Sequence, residues 1–386
     1  MKLKQRPEDF HVEERSTVEA GEVGEFAYYR LEKRGFTTPD ALAAVRKRWK
    51  VHPDRVSFGG LKDRRAHTIQ FLTIHRGPAR NLSQDGLTLT YLGRLTRPYI
   101  SDDIRANRFR ITLRDLGPDA VSRVESTLPE LASVGVPNYF DDQRFGSVSG
   151  SAFIAREMVL GNFEGALRLA LLEPYEFDRP DERREKQILA QHWGDWPAAR
   201  ADLPNGHARG IADFLAHHPD NFRAACALLR PELQGLYLAA WQSHLWNRML
   251  TRWLTERVPG NQLVRLRLKA GDVVFPRSMP PDHVSEWETL GIPLPSARLK
   301  FDSDAPWAGV VRAVMDEEGI PLDEMRIKGM RKPYFSKGDR AAKVTIDQLA
   351  STVADDEAHA GRRKLTLVFE LPRGCYATMV VKRLTA

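Results

Sequence analysis

The sequence predicts a chain of mixed α and β structure organised as two domains. Three observations carry that expectation. The chain has 386 residues, more than one compact core usually holds. Alternating runs such as Asn107–Arg114, with Phe109, Ile111 and Leu113 opposed to Arg108, Arg110 and Arg114, read as half-buried strands. From about Gly150 the character changes, and a pattern from Glu232 to Val258 reads as one long helix.

Composition narrows the class. Hydrophobic residues make up 42% and charged residues 28%, which is ordinary for a globular chain and argues against disorder. Lys plus Arg is 58 against 51 Asp plus Glu, a net charge of +7, with a pI near 9.4. That balance fits a polyanionic partner and equally fits a plain basic protein. Cys226 and Cys375 form neither a metal-ligand spacing nor a disulfide framework, which points to a reducing compartment. No apolar run follows Met1–Pro7, and no stretch reaches the roughly 20 apolar residues that span a bilayer. The expectation is a cytoplasmic protein without a signal peptide or membrane contact. The chain holds no repeats, no phosphate-binding loop and no metal-ligand cluster.

In chain order, Phe10 and Val12 alternate with polar residues and predict a strand. Phe26–Glu32 predicts a second, ending near Gly35. Thr38 and Pro39 read as N-cap and first residue of a helix burying Leu42, Val45 and Trp49, with Arg46, Lys47, Arg48 and Lys50 mostly off that face. A helix from about Pro118 to Ser133 follows the Asn107 strand. Phe153–Leu172 reads helical with a break at Gly161-Asn162. Leu263–Leu268 and Asp272–Phe275 predict a short β unit. Arg326, Lys328, Arg331, Lys332 and Lys337 cluster around Tyr334 and Phe335, a mixture that RNA clefts use. Arg363–Glu370 reads as a strand, turned at Leu371–Gly374, with Cys375–Val381 as its partner strand.

The chemistry-bearing stretch is Phe58-Gly59-Gly60-Leu61-Lys62-Asp63-Arg64-Arg65-Ala66-His67-Thr68-Ile69-Gln70. It joins two β-prone runs, and its glycines allow positive φ or a close backbone approach. One carboxylate, Asp63, stands among three cations. Such a group suits an anionic nucleophile in a basic cleft, and equally a solvated hairpin turn.

Gly-Leu-Lys-Asp-Arg with Ala66, Thr68 and Gln70 resembles the signature of the TruD family of pseudouridine synthases. Five further stretches match in the family's order. They are Pro7–Glu14, the Asn107-Arg108-Phe109 strand, Val136–Gly146, Gln242–Asn247 and the ending Phe369–Thr378. Asp141 stands where the family usually has Gly, Trp246 where it has Phe, and Cys375 where it has Ser.

The resemblance implies an α+β fold: a pseudouridine-synthase-like catalytic domain, its mixed β-sheet flanked by helices, interrupted by a large inserted α+β domain. The expected boundaries are 1–154 and 343–386 for the catalytic domain, the latter as C-terminal strands, and 155–342 for the insertion. It implies Asp63 as nucleophile and Phe10, Asn138, Phe140 and Tyr376 as substrate-contacting residues converging on it. Lys4 and Lys62 are the supporting basic residues. The implied reaction is isomerisation of uridine to pseudouridine in tRNA, at position 13, with the base flipped out of its stack and with neither cofactor nor metal. The expected partner is tRNA, and the expected state a monomer. Two other classes stay open on the residues alone. One is a non-catalytic RNA-binding protein. The other is a nucleoside or glycoside hydrolase with Asp141 or Asp142 as second carboxylate.

Overall fold

The computed structural model describes residues 1–176, 178–330 and 333–386. The chain forms two compact units, Met1–Val136 with Val344–Thr385, and Pro137–Lys343.

The first unit is built on a mixed ten-stranded sheet. Its strands are β1 (Lys2–Leu3), β2 (Phe10–Ser16), β3 (Phe26–Lys33), β4 (Val56–Phe58), β5 (His67–His75), β6 (Leu82–Gln84), β7 (Leu87–Leu95) and β8 (Ile104–Leu116), then Asp347–Asp355 and Arg363–Pro372. The order across the sheet is Asp347–Asp355, Arg363–Pro372, β8, β2, β5, β3, β7, β6, with β1 beside β8 and β4 beside β5. β2 and β5 run parallel, His11 opposite His67, and their neighbours are antiparallel. With helices packed beside it, this is the α+β architecture the sequence implies.

Alternation decides what each strand buries. On β3, Ala27, Tyr29 and Leu31 enter a core with Leu72 and Ile74 of β5 and Leu42 and Val45 of the helix Thr38–Trp49. On β2, Phe10 and Val12 are buried, and Phe10 meets Phe109 edge-on at 6.3 Å between ring centroids. Phe109 in turn stacks on Phe369 at 5.5 Å.

Three sequence expectations need correction here. The N-cap of the first helix is Thr37, whose side chain accepts from the Asp40 amide, not Thr38. Thr38 points inward and is spent on other partners. Arg114 does not share a solvent face with Arg108 and Arg110. It is buried and ion-paired to Asp9 and Asp356 at 2.9 Å. Cys375–Val381 is not a strand. Ala377–Leu384 is a helix that buries Ala377, Met379, Val380, Val381 and Leu384. Both hydrogen-bonding edges of Arg363–Pro372 are already taken, by β8 and by Asp347–Asp355, so a hairpin partner had no edge to join.

The second unit is mainly helical. Ile154–Val159 and Phe163–Leu171 are separate helices, parted where Gly161 takes φ 80° and the Asn162 side chain caps the Gly165 amide. The 27-residue helix Pro231–Arg257 is its spine and buries Trp241, Trp246 and Trp253. Leu263–Leu268 and Gly271–Pro276 pair antiparallel, as the sequence suggests. The unit begins at Pro137, whereas the sequence reading extends the first domain to residue 154. Side chains account for this: the Tyr139 hydroxyl donates to the Val274 carbonyl at 3.0 Å, and Asn247 holds Phe140. Among the described residues, no helix is long and apolar enough to cross a membrane.

Candidate active site

β4 and β5 are antiparallel, so Gly59–Ala66 is a hairpin connection. Its backbone is tied from below at several points. Gln70 of β5 donates its amide to the Gly60 carbonyl at 3.1 Å and accepts from the Thr38 hydroxyl at 2.8 Å. The same Thr38 oxygen accepts from the Lys62 amide at 2.9 Å. A Cβ at Gly59 would lie 2.6 Å from Ile104 Cδ1, so any larger residue there would make the end of the Ile104 side chain shift. Gly60 has open space on that side, so its missing side chain answers no such contact.

Two buried charges complete the support. Lys33, 1% exposed, donates from Nζ to the carbonyls of Phe36 (2.8 Å), Lys62 (3.2 Å) and Asp63 (3.0 Å). Burial pushes its ammonium down to about 8; Asp63 and Asp40 oppose that shift and Lys62 adds to it. Glu14, also buried, accepts from Lys62 Nζ at 2.7 Å and from the Phe71 amide at 3.0 Å. Neither residue stands out as a functional candidate in the sequence. The available signal is register. Ala27, Tyr29, Leu31 and Lys33 share one side of β3, and Phe10, Val12 and Glu14 one side of β2, so each charge lies on an inward-facing row.

On this fixed backbone the Asp63 carboxylate stands open, with its side chain 44% exposed. Lys4 Nζ donates to its Oδ2 at 2.7 Å and lies 4.0 Å from the centre of the Phe10 ring. Lys4 reaches there from a backbone with φ 56°. The cations adjacent in sequence have other partners: Lys62 pairs with Glu14, and Arg64 with Asp40 at 2.6 Å. The structure therefore brings together Asp63, Lys4 and Phe10. Tyr376 is half-buried at the N-cap of the C-terminal helix, just beyond the strand that neighbours β8.

Asn138 and Phe140 lie in the second unit. Asn138 is buried; its amide nitrogen donates to the Ala341 carbonyl at 2.9 Å, and its side-chain oxygen accepts from Arg340 at 2.6 Å. Arg340 also lies 4.1 Å from the centre of the Phe140 ring. Asn247 clamps the Phe140 backbone, accepting from its amide at 2.9 Å and donating to its carbonyl at 2.8 Å. Arg340 carries no motif that marks it, and only the fold shows it joining Asn138 to Phe140. Asp142 accepts from the Lys269 amide at 2.7 Å, and Asp141 is buried. In the basic cluster, Arg331 and Lys332 lie outside the described residues. Tyr334 is exposed with Arg298 4.6 Å from its ring centre, but Phe335 is buried against Trp241. Among the described residues, no group of three His, Cys, Asp or Glu is placed to hold a metal ion.

The family model for tRNA pseudouridine synthase D (TruD) matches residues 1–384. The chain belongs to the TruD family of tRNA pseudouridine synthases. A probable tRNA pseudouridine synthase D of Methanosarcina barkeri is 30% identical over 98% of this chain and 92% of its own length. A tRNA pseudouridine synthase D of Leptospira interrogans is 27% identical over 99% of this chain and 95% of its own. The crystal structure of the TruD protein of Methanosarcina mazei superposes with a TM-score of 0.74 at 26% identity. It covers all of this chain and 93% of that one. The TruD chain is thus similar to these proteins along its whole length, not in one unit alone.

Proposed function

We propose that this tRNA pseudouridine synthase, an isomerase, uses Asp63 as its nucleophile on a uridine at position 13 of tRNA. The observation that carries the reading is a carboxylate left open while the backbone beneath it is tied down by Lys33, Thr38 and Gln70. The target base leaves its stack to reach the carboxylate. Asp63 attacks at the sugar or the base, and the glycosidic C–N bond breaks. The uracil turns and rejoins the ribose through carbon. The atoms of product and substrate are the same, so no co-reactant is consumed. Lys4 orients the carboxylate, Lys62 braces the loop through Glu14, and Phe10 supplies an apolar wall beneath them. Tyr376 is the further base-contacting residue of the first unit. Asn138 and Phe140 serve substrate binding from the second, with Arg340 setting their positions. The enzyme works as a monomer in the cytoplasm, where its tRNA is.

The test is Asp63→Asn. It keeps size and removes the charge and the nucleophilic oxygen. The variant is expected to fold and bind tRNA but to form no pseudouridine in a single-turnover assay. Near-normal turnover in a folded variant would refute the assignment. Release of free uracil by the wild type would favour a hydrolase instead.

A further inference from the structure

We propose that Lys33 is a positioning residue that holds the Asp63 loop in its reactive geometry through the two peptide carbonyls flanking the Asp63 nitrogen and following its Cα. The inference rests on the reading of Asp63 as nucleophile.

An ammonium has three N–H donors and no acceptor. All three find backbone carbonyls here: Phe36 on the turn after β3, and Lys62 and Asp63 on the loop. No carboxylate is among these partners. Burying a cation costs desolvation, and an apolar residue in its place would leave these carbonyls without that donor. What the ammonium does supply is placement. Consecutive carbonyls at Lys62 and Asp63 converge on one atom, which fixes the peptide planes on both sides of the Asp63 Cα. The side chain that projects from that Cα is then aimed by the fold rather than by its own exposed surroundings. A misplacement of about 1 Å in a reacting group can lower a rate roughly hundredfold.

The grip is protonation-dependent. A neutral amine offers two donors, so one of the three carbonyls is released when Lys33 loses its proton. Burial brings that event to about pH 8. The charged groups facing Lys33 are Asp63 and Lys62 from the loop and Asp40 from the helix. Its cross-strand neighbours, Thr68 on β5 and Leu87 on β7, do not titrate in this range. The grip is complete below about pH 8 and is lost as pH rises through that value.

The experiment measures single-turnover pseudouridine formation at saturating tRNA from pH 6 to 9.5, with tRNA affinity and melting temperature for each protein. Wild type is expected to lose rate above about pH 8 while folded. Lys33→Met is expected to bind tRNA as wild type does, to turn over roughly a hundredfold more slowly, and to lack the limb near pH 8. Lys33→Arg, which keeps the charge, is expected to recover part of the rate and to hold it above pH 8. A folded Lys33→Met within twofold of the wild-type rate overturns the proposal. If that variant does not fold, a wild-type rate flat to pH 9.5 overturns it instead. Asp63→Asn run alongside separates the two claims: an inactive Asp63→Asn with a fully active Lys33→Met refutes Lys33 only, and an active Asp63→Asn refutes the nucleophile.

Discussion

In the Asp63 loop the backbone is tied and the side chain is open; in the Asn138–Phe140 segment the side chain itself is among the ties. Lys33, Thr38 and Gln70 hold main-chain atoms around Asp63, whose carboxylate meets solvent and Lys4. Asn138 spends its amide on Ala341 and Arg340, and the Phe140 main chain is gripped by Asn247. Both segments carry family motifs of similar specificity. A motif can therefore mark a side chain left open on a tied backbone, or a side chain held by its neighbours. Burial and hydrogen bonding tell the two apart.

The largest contrast is in catalysis. Asp63→Asn should lower turnover by more than about a thousandfold, as loss of a nucleophile does, while leaving the melting temperature near wild type. A large fall in stability would erase the distinction, because it would make Asp63 a structural turn residue. The converse variant is Asn247→Ala. It strands a buried amide and a buried carbonyl of Phe140, at a cost of roughly 2–4 kcal/mol. Seven of the eight tryptophans, all but Trp49, lie in the second unit, so tryptophan fluorescence during urea unfolding reads this loss directly.

Smaller effects sharpen the same comparison. Lys4→Met removes the partner of an Asp63 that is 44% exposed, so its stability cost should stay below about 1 kcal/mol. Its turnover should nevertheless fall, roughly tenfold or more, because the carboxylate loses its orienting cation. An unchanged rate would leave the pair without a catalytic role. The smallest effect is in pH. Burial lowers His11 to about 4, helped by His67 and Arg110, and burial with Arg248 does the same to His244. Both stay neutral in the folded state while the unfolded chain takes up protons below about 6.5. Stability should then decline as pH falls from about 6.5 to 4, by on the order of 1 kcal/mol per histidine. His244→Leu should flatten this slope in the tryptophan signal, and a slope that persists unchanged would assign it to other groups.

Much of the fold is legible in the residues because it depends on local periodicity. The alternation of Phe109, Ile111 and Leu113 marks β8, and the break at Gly161-Asn162 separates two helices as expected. The failures share a cause. Met379, Val380 and Val381 look β-prone as a run, but whether a run becomes a strand depends on an edge being vacant, and none was. Arg114 alternates with its neighbours as a solvent-facing residue would, yet Asp9 and Asp356 arrive from distant parts of the chain to bury it.

The sequence by itself determined the family, the α+β class and the position of Asp63, since each rests on residue identity and short spacing. The tertiary structure alone decided how Asp63 is held. Lys4 lies 59 residues before it, and Lys33, Thr38 and Glu14 come from other strands and a helix. Ammonium, hydroxyl and carboxylate act over about 3 Å, and only the folded sheet brings these groups within that reach.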